Sequence, residues 1–282
     1  MHRVRQLCKC LPCRRTSSVS IKEHKIEACL YDTLLFTTKL GEEMNDKLLK
    51  DGISALSGSI DQKQIQQFMT YASLLREWNE KMNLTAVTDP DGIAIKHFLD
   101  SILPLYHIDF SKIDTIADIG TGAGFPGIPI KIMMPEKKLV LVDSLNKRIN
   151  FLNHVAEELN LNHITCIHGR AEELGHKREL RESFDAVVSR AVANMTVLCE
   201  YCLPFVKVGG CFIALKSDNA DGELSDAKAM IGSLGGTVED VISAPLPMSD
   251  ITRKLILIRK TGETDKKFPR RADKIKKANK KI

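Results

Sequence analysis

Gly120, Gly122, Gly124 and Gly127 fall within eight consecutive residues, after the apolar run 113–119 and before a helix-compatible stretch, 128–134. A glycine-rich turn between strand and helix lets backbone N–H groups approach a ligand, with the positive end of the helix dipole behind them. Gly122, Gly124 and Gly127 meet the G-x-G-x-x-G dinucleotide pattern, a weak signal that leaves NAD open. Asp143 ends the next apolar run, where a carboxylate accepts hydrogen bonds from ribose hydroxyls. Its plainer role is a helix N-cap, which Ser144 would fill equally well. Loop and acid together point to an adenosine-type cofactor, and NAD and S-adenosylmethionine are both of that type.

Arg190 follows the fourth apolar run, where the reactive end of such a cofactor meets its substrate. Its fork suits the cofactor's carboxylate or a target phosphate; the plainer reading is a surface ion pair. Lys216 ends the fifth run, a suitable place for a phosphate contact. His97 and Asp100 are three apart, hence neighbours on a helix. With Asn83 and Ser101 they read equally well as packing between a cap and the core or as substrate orientation. Glu172, beside Glu173, reads equally as a cofactor contact or a solvated carboxylate. Trp78 lies on an apolar stripe and reads as core before base-stacking platform. No G-x-x-x-x-G-K-[ST], Ser/His/Asp elbow or H-E-x-x-H motif is present, which argues against a P-loop nucleotidase, a serine hydrolase and a zinc protease. The eight cysteines (8, 10, 13, 29, 166, 199, 202 and 211) show no metal-ligand spacing and read as reduced thiols of a cytosolic protein. No metal is expected.

These residues need a scaffold. Ile65, Phe68, Met69, Ala72, Leu75, Trp78 and Met82 follow the three/four spacing of one helical face. Ser59 with Gln62, or Asp61 with Gln64, would start that helix as a capping pair. A second helix is expected over about 92–103, stopped near Pro104. Strands are expected at 113–119, 139–142, 164–168, 186–189, 211–216, 238–243 and 254–259, with a clear helix at 145–159 between two of them. Alternation of strand and helix predicts an α/β fold with a parallel-dominated sheet covered on both faces.

The chain has 282 residues, 43% of them hydrophobic, and no apolar run long enough for a bilayer. Its net charge of +5 hides an asymmetry: residues 251–282 hold thirteen Lys and Arg against Glu263, Asp265 and Asp273. A basic tail on an otherwise acidic protein points to a polyanion, most simply nucleic-acid phosphate. The expected division is an extension over 1–43, a helical cap over 44–105, a catalytic domain over 106–260 and a basic tail over 261–282, flexible when unbound. The extension reads as disordered, as a transit peptide or as the product of a misplaced start, with Met44 an alternative start.

Six ordered blocks then become specific together. They are 78–85 (Trp78 to Thr85), 97–101 (His97 to Ser101), 118–127 (Asp118 to Gly127), 143–148 (Asp143 to Arg148), 170–172 (Arg170 to Glu172) and 189–193 (Ser189 to Ala193). In order and spacing they resemble the RsmG (GidB) family, the 16S rRNA guanine-N7 methyltransferases. The resemblance implies a Rossmann-like, seven-stranded class I sheet that uses S-adenosyl-L-methionine, with an N-terminal helical cap. It implies cofactor contacts at Gly120, Phe125, Asp143, Ser144, Leu145, Ala171, Glu172 and Arg190, with Gly122 helping to open room for the methionine moiety. The implied substrate is 16S rRNA or an assembling small subunit, methylated in the decoding-region loop of helix 18 by a cytoplasmic monomer. Lys216, Lys266, Lys267, Arg270 and Arg271 are the RNA-binding candidates. Ser217 stands where similar members often have glycine, and Ala272-Asp273 replaces a Pro-Gly-like continuation. Guanine N7 has a lone pair and loses no proton on methylation, so positioning replaces a general base, and Arg190 is the expected positioning residue. The other readings are an NAD(P)-dependent oxidoreductase and a non-enzymatic RNA-binding protein.

Overall fold

The computed structural model describes residues 44–190 and 193–279. Expectations for residues 1–43, including Cys8, Cys10, Cys13 and Cys29, lie outside the described residues. Residues from Met44 onward form one compact unit.

Helix α1 (Asp46–Ala55) starts at Asn45, whose side chain accepts from Lys47 N. Helix α2 (Gln62–Met82) starts at the second of the two capping pairs: Asp61 accepts from Gln64 N at 2.8 Å and Gln64 accepts from Asp61 N at 3.0 Å. It buries Ile65, Phe68, Ala72 and Leu75 of the expected stripe together with Tyr71, which the stripe did not include; Met69, Trp78 and Met82 are partly buried, and Trp78 packs on Phe151. Asn83 closes it in the left-handed conformation, with φ 49°. The next helix, α3 (residues 90–102), is less regular than its sequence suggests. Pro90–Gly92 and Asp100–Ile102 are α-helical, but Ile93–Leu99 between them is wound as a π-helix. Such winding is rare and concentrates at functional sites. Pro104 does end α3, and it also opens the short α4 (Pro104–His107), where its missing N–H is harmless.

Seven strands follow: β1 (Thr115–Ile119), β2 (Lys138–Asp143), β3 (Ile164–His168), β4 (Phe184–Arg190), β5 (Val206–Ser217), β6 (Gly236–Pro245) and β7 (Thr252–Lys260). Their order is β3-β2-β1-β4-β5-β7-β6. The first five run parallel, while β7 is antiparallel to both β5 and β6. Between them lie α5 (Gly127–Met133), α6 (Asn146–Glu158), α7 (Ala171–Leu174), α8 (Met195–Cys202) and α9 (Asp221–Ser233). This is a Rossmann-like seven-stranded sheet, of the kind the resemblance implies.

Side chains of a strand alternate between faces, so the core divides in two. Cys211, Ile213 and Leu215 of β5 join one cluster with α1, α2, α3, α5 and α6. Phe212 and Ala214 join the other with α8 and α9. The expected cap helices therefore share one hydrophobic core with the sheet.

The segment after Lys260 contradicts the expectation of a flexible tail. Thr264 and Phe268 are buried, and Ile275 is buried within α10 (Ala272–Asn279). Arg181 donates to the carbonyls of Thr264 (2.6 Å) and Phe268 (2.8 Å). Its backbone acceptors are satisfied by the body of the protein, so this stretch is a strap rather than a free tail.

Candidate cofactor and substrate site

The sheet reverses order between β1 and β4, where open α/β sheets bind ligands at the carboxyl ends of their strands. A cleft of about 500 Å³ lies there, lined by the glycine loop, Asp143, Ser144, Ala171, Glu172 and Arg190, among others. The loop is braced from below. Buried Asp118 accepts from Thr121 Oγ1 at 2.6 Å and from Gly127 N at 2.8 Å, tying the loop's two ends together. Burial pushes its carboxyl up to about 7 against those two bonds. Gly124, at φ +103°, has Tyr71 Oη and Ile128 Cδ1 each 2.6 Å from where a Cβ would sit. Gly122, at φ +63°, has nothing within 4 Å of that position. The space above it belongs to the cleft.

Asp143 is 2% exposed and caps no helix. Its Oδ2 accepts from Gly122 N (3.0 Å) and Arg148 Nη1 (3.2 Å), and its Oδ1 accepts from Leu145 N (2.9 Å). Asp143 thus joins β2 to the glycine loop, with one Oδ1 lone pair left for a hydroxyl. Ser144 lines the cleft, whereas the Leu145 side chain is 42% exposed. Glu172, whose side chain is 9% exposed, is not a solvated carboxylate; its nearest ion-pair partner is Arg170 at 3.8 Å.

At the other end of the cleft the cap meets β4. Arg190 Nη1 donates to Asp100 Oδ2 (2.9 Å) and to the Lys96 carbonyl (3.0 Å). Its Nη2 lies 3.2 Å from His97 Nδ1. A guanidinium only donates, so Nδ1 must accept and His97 carries its proton on Nε2. That Nε2–H donates to Thr85 Oγ1 at 2.7 Å. Burial, then the charge of Arg190, lowers His97 to about 4. Phe125 packs against both groups: the His97 ring stacks on it (4.5 Å between centroids) and the Arg190 guanidinium lies 4.9 Å from its centroid. Arg253 of β7 holds Asp100 Oδ1 from the far side at 2.7 Å. Arg190 is therefore a buried, fully oriented cation, not the surface ion pair its position also allowed. His97 and Asp100 orient it. Ser101 donates to the His97 carbonyl, and Asn83 only ends α2.

A model of the GidB family, rRNA small subunit methyltransferase G, matches residues 64–251. The chain belongs to this family. The ribosomal RNA small subunit methyltransferase G of Acetivibrio thermocellus is 50% identical over 228 residues, covering 81% of this chain and 93% of that protein. The protein of the same name from Staphylococcus carnosus is 51% identical over 215 residues, covering 76% and 90%. Membership makes this an enzyme with S-adenosyl-L-methionine as methyl donor, not an oxidoreductase. The cleft fits that donor. Gly122 leaves the floor open, Asp143 offers a carboxylate to a ribose, and Ala171 and Glu172 border the end beside β3. No group of three or more His, Cys, Asp or Glu able to hold a metal occurs among the described residues. No helix among them is long and apolar enough to cross a membrane.

Two RNA-binding candidates already hold protein partners. Lys216 is 9% exposed and donates to Glu223 (2.7 Å) and to the Ala193 carbonyl (3.0 Å). Arg270 makes a bidentate pair with Glu200, whose carboxylate also accepts from Arg270 N. Glu200 is fully buried, so this pair holds the strap. Lys267 is exposed and pairs with Asp265, while Lys266 and Arg271 are exposed.

Sequence reasoning missed Arg253, Arg148, Tyr201 and Ala272. Tyr201 reaches the cleft from α8, and Ala272 reaches it because the strap folds back against that helix. Arg253 sits on the strand beside β5, and only the reversed β7 brings its side chain to Asp100.

Proposed function

We propose that this enzyme methylates N7 of a guanine in 16S rRNA, in the decoding-region loop of helix 18, acting as a cytoplasmic monomer on rRNA or an assembling small subunit. One observation carries the reading. A second hollow of about 580 Å³ adjoins the cofactor cleft, and the two share His97 and Arg190. A base entering the second hollow meets the donor's methyl group at that junction.

The chemistry asks little of the junction beyond order. When bound, S-adenosyl-L-methionine would supply a methyl group to the N7 lone pair, with the electrons of the broken carbon–sulfur bond left on its sulfur. No proton leaves the base, so no general base is required. His97 agrees with this: its Nδ1 lone pair is held by Arg190 and its Nε2 proton by Thr85. Gly120, Gly122, Phe125, Asp143, Ser144, Leu145, Ala171, Glu172 and Arg190 hold the cofactor in this reading. Arg190 and the Phe125 ring fix the reacting end, and alignment supplies most of the acceleration. The target base must leave its stack to enter, and a loop nucleotide unstacks at low cost.

Calorimetry with S-adenosylhomocysteine and NAD, followed by labelled methyl transfer to rRNA from a strain lacking the enzyme, tests the reading. Binding of the homocysteine product without NAD binding, and label in small-subunit rRNA, is the expected result. Label confined to another RNA overturns the substrate assignment.

A further inference from the structure

The second hollow holds a charged pair that the cofactor does not use. Lys216 Nζ and Met195 N both donate to Glu223 Oε2, at 2.7 and 3.1 Å. Lys216 also donates to the Ala193 carbonyl, so two of its three N–H bonds are spent. Glu223 Oε1 takes no hydrogen bond among the described residues, and the side chain is 40% exposed. Asp100, the other carboxylate lining this hollow, has both oxygens taken by Arg190 and Arg253. Val87 and Leu215 add apolar walls.

We propose that Lys216 and Glu223 together read the target base as guanine. The proposal rests on the second hollow being the seat of that base. Guanine's Watson–Crick edge presents the O6 acceptor beside the N1–H and N2–H donors. An ammonium next to a carboxylate is the complement of that order: the spare Lys216 N–H serves O6, and the Glu223 carboxylate serves N1–H and N2–H. Adenine presents the reverse order, a 6-amino donor beside the N1 acceptor, and sets donor against donor and acceptor against acceptor. Reading a flipped base on this edge is general to enzymes that work on bases. N7 lies on the Hoogsteen edge, outside the Watson–Crick edge that the pair holds, so a base held this way keeps N7 free for the methyl group. Lys216, first considered as a phosphate contact, becomes a base contact, and its burial suits a neutral ring better than a solvated phosphate.

The test compares Glu223→Gln with wild type on small-subunit RNA carrying guanosine or inosine at the target position. Inosine lacks the 2-amino group and keeps O6, N1–H and N7. Wild type is expected to lose about 10- to 100-fold in kcat/KM on inosine, as for one good bidentate contact. The variant is expected to lose a similar factor on guanosine, little more on inosine, and nothing in S-adenosylhomocysteine affinity, which also reports its fold. Glu223→Asp, which keeps the charge and withdraws it by one methylene, serves if the Gln variant misfolds, with the same expected loss of discrimination. A variant that suffers the same inosine penalty as wild type, or matches wild type on guanosine, overturns the proposal. A wild-type enzyme that methylates no guanosine overturns the reading of the hollow itself, and the pair with it.

Discussion

Arg190 takes its role from its surroundings. Burial would make an isolated guanidinium costly, but Asp100, His97, the Lys96 carbonyl and the Phe125 face all receive it. Asp100 keeps Arg253 when Arg190 is removed, so Arg190→Ala is expected to stay folded while methyl transfer falls about 100- to 1,000-fold, the usual effect of losing one oriented donor. Near-normal turnover would remove Arg190 from the mechanism. His97 sets an acid limit. The unfolded chain takes up a proton near 6.5, whereas folded His97 does so only at about 4. Its contribution to stability is present above pH 6.5 and is lost as pH falls toward 4. Tm measured across that window should fall less steeply in His97→Gln than in wild type. These residues were named by their sequence blocks, but their roles were not. Whether His97 and Asp100 packed or oriented depended on Arg190 meeting both, across 93 and 90 residues of chain.

The elements were largely legible because their signals are periodic. All seven strands fell where β-rich apolar runs lay, and α2 began at a capping pair visible as Asp61 and Gln64. The π-helical turns of α3 were not legible, since Ile93–Leu99 carries no distinguishing composition. The strap was misjudged for a related reason. Charge dominates its composition, yet Thr264, Phe268 and Arg270 hold it down through residues far away in sequence. Arg270→Ala would leave Glu200 buried without its partner, at a cost of about 3 kcal/mol or more. A Tm lower by about 6–12 °C, for a domain of this size, is the expected reading in a thermal scan. Removal of residues 264–282 should weaken S-adenosylhomocysteine binding as well as RNA binding, because Ala272 borders the cofactor cleft. Unchanged cofactor affinity after truncation would make the strap an RNA element only.

For the molecule as a whole, composition overstates the positive charge that faces outward. The thirteen cations of residues 251–282 suggested one RNA-binding tail. In the fold Arg253 serves Asp100, Lys260 pairs with Glu182 and Arg270 with Glu200, so fewer cations face outward. Lys266 and Arg271 remain exposed. Replacing both by Ala should lower the slope of log affinity against log salt by about 1–2 for rRNA and leave cofactor binding alone, as expected for two phosphate contacts. The cofactor side was the most legible, since a glycine loop followed by an acid is set by backbone chemistry. The substrate side depended on side chains from α3, β4, β5, β7 and α9 converging. The central claim concerns one atom of one base. Small-subunit rRNA from a strain lacking this enzyme, incubated with the protein and S-adenosyl-L-methionine, can be reduced with borohydride, cleaved with aniline and mapped by primer extension. A single new stop at a guanine in the loop of helix 18 is predicted; methylation elsewhere, or at a position other than N7 that resists this cleavage, would contradict it.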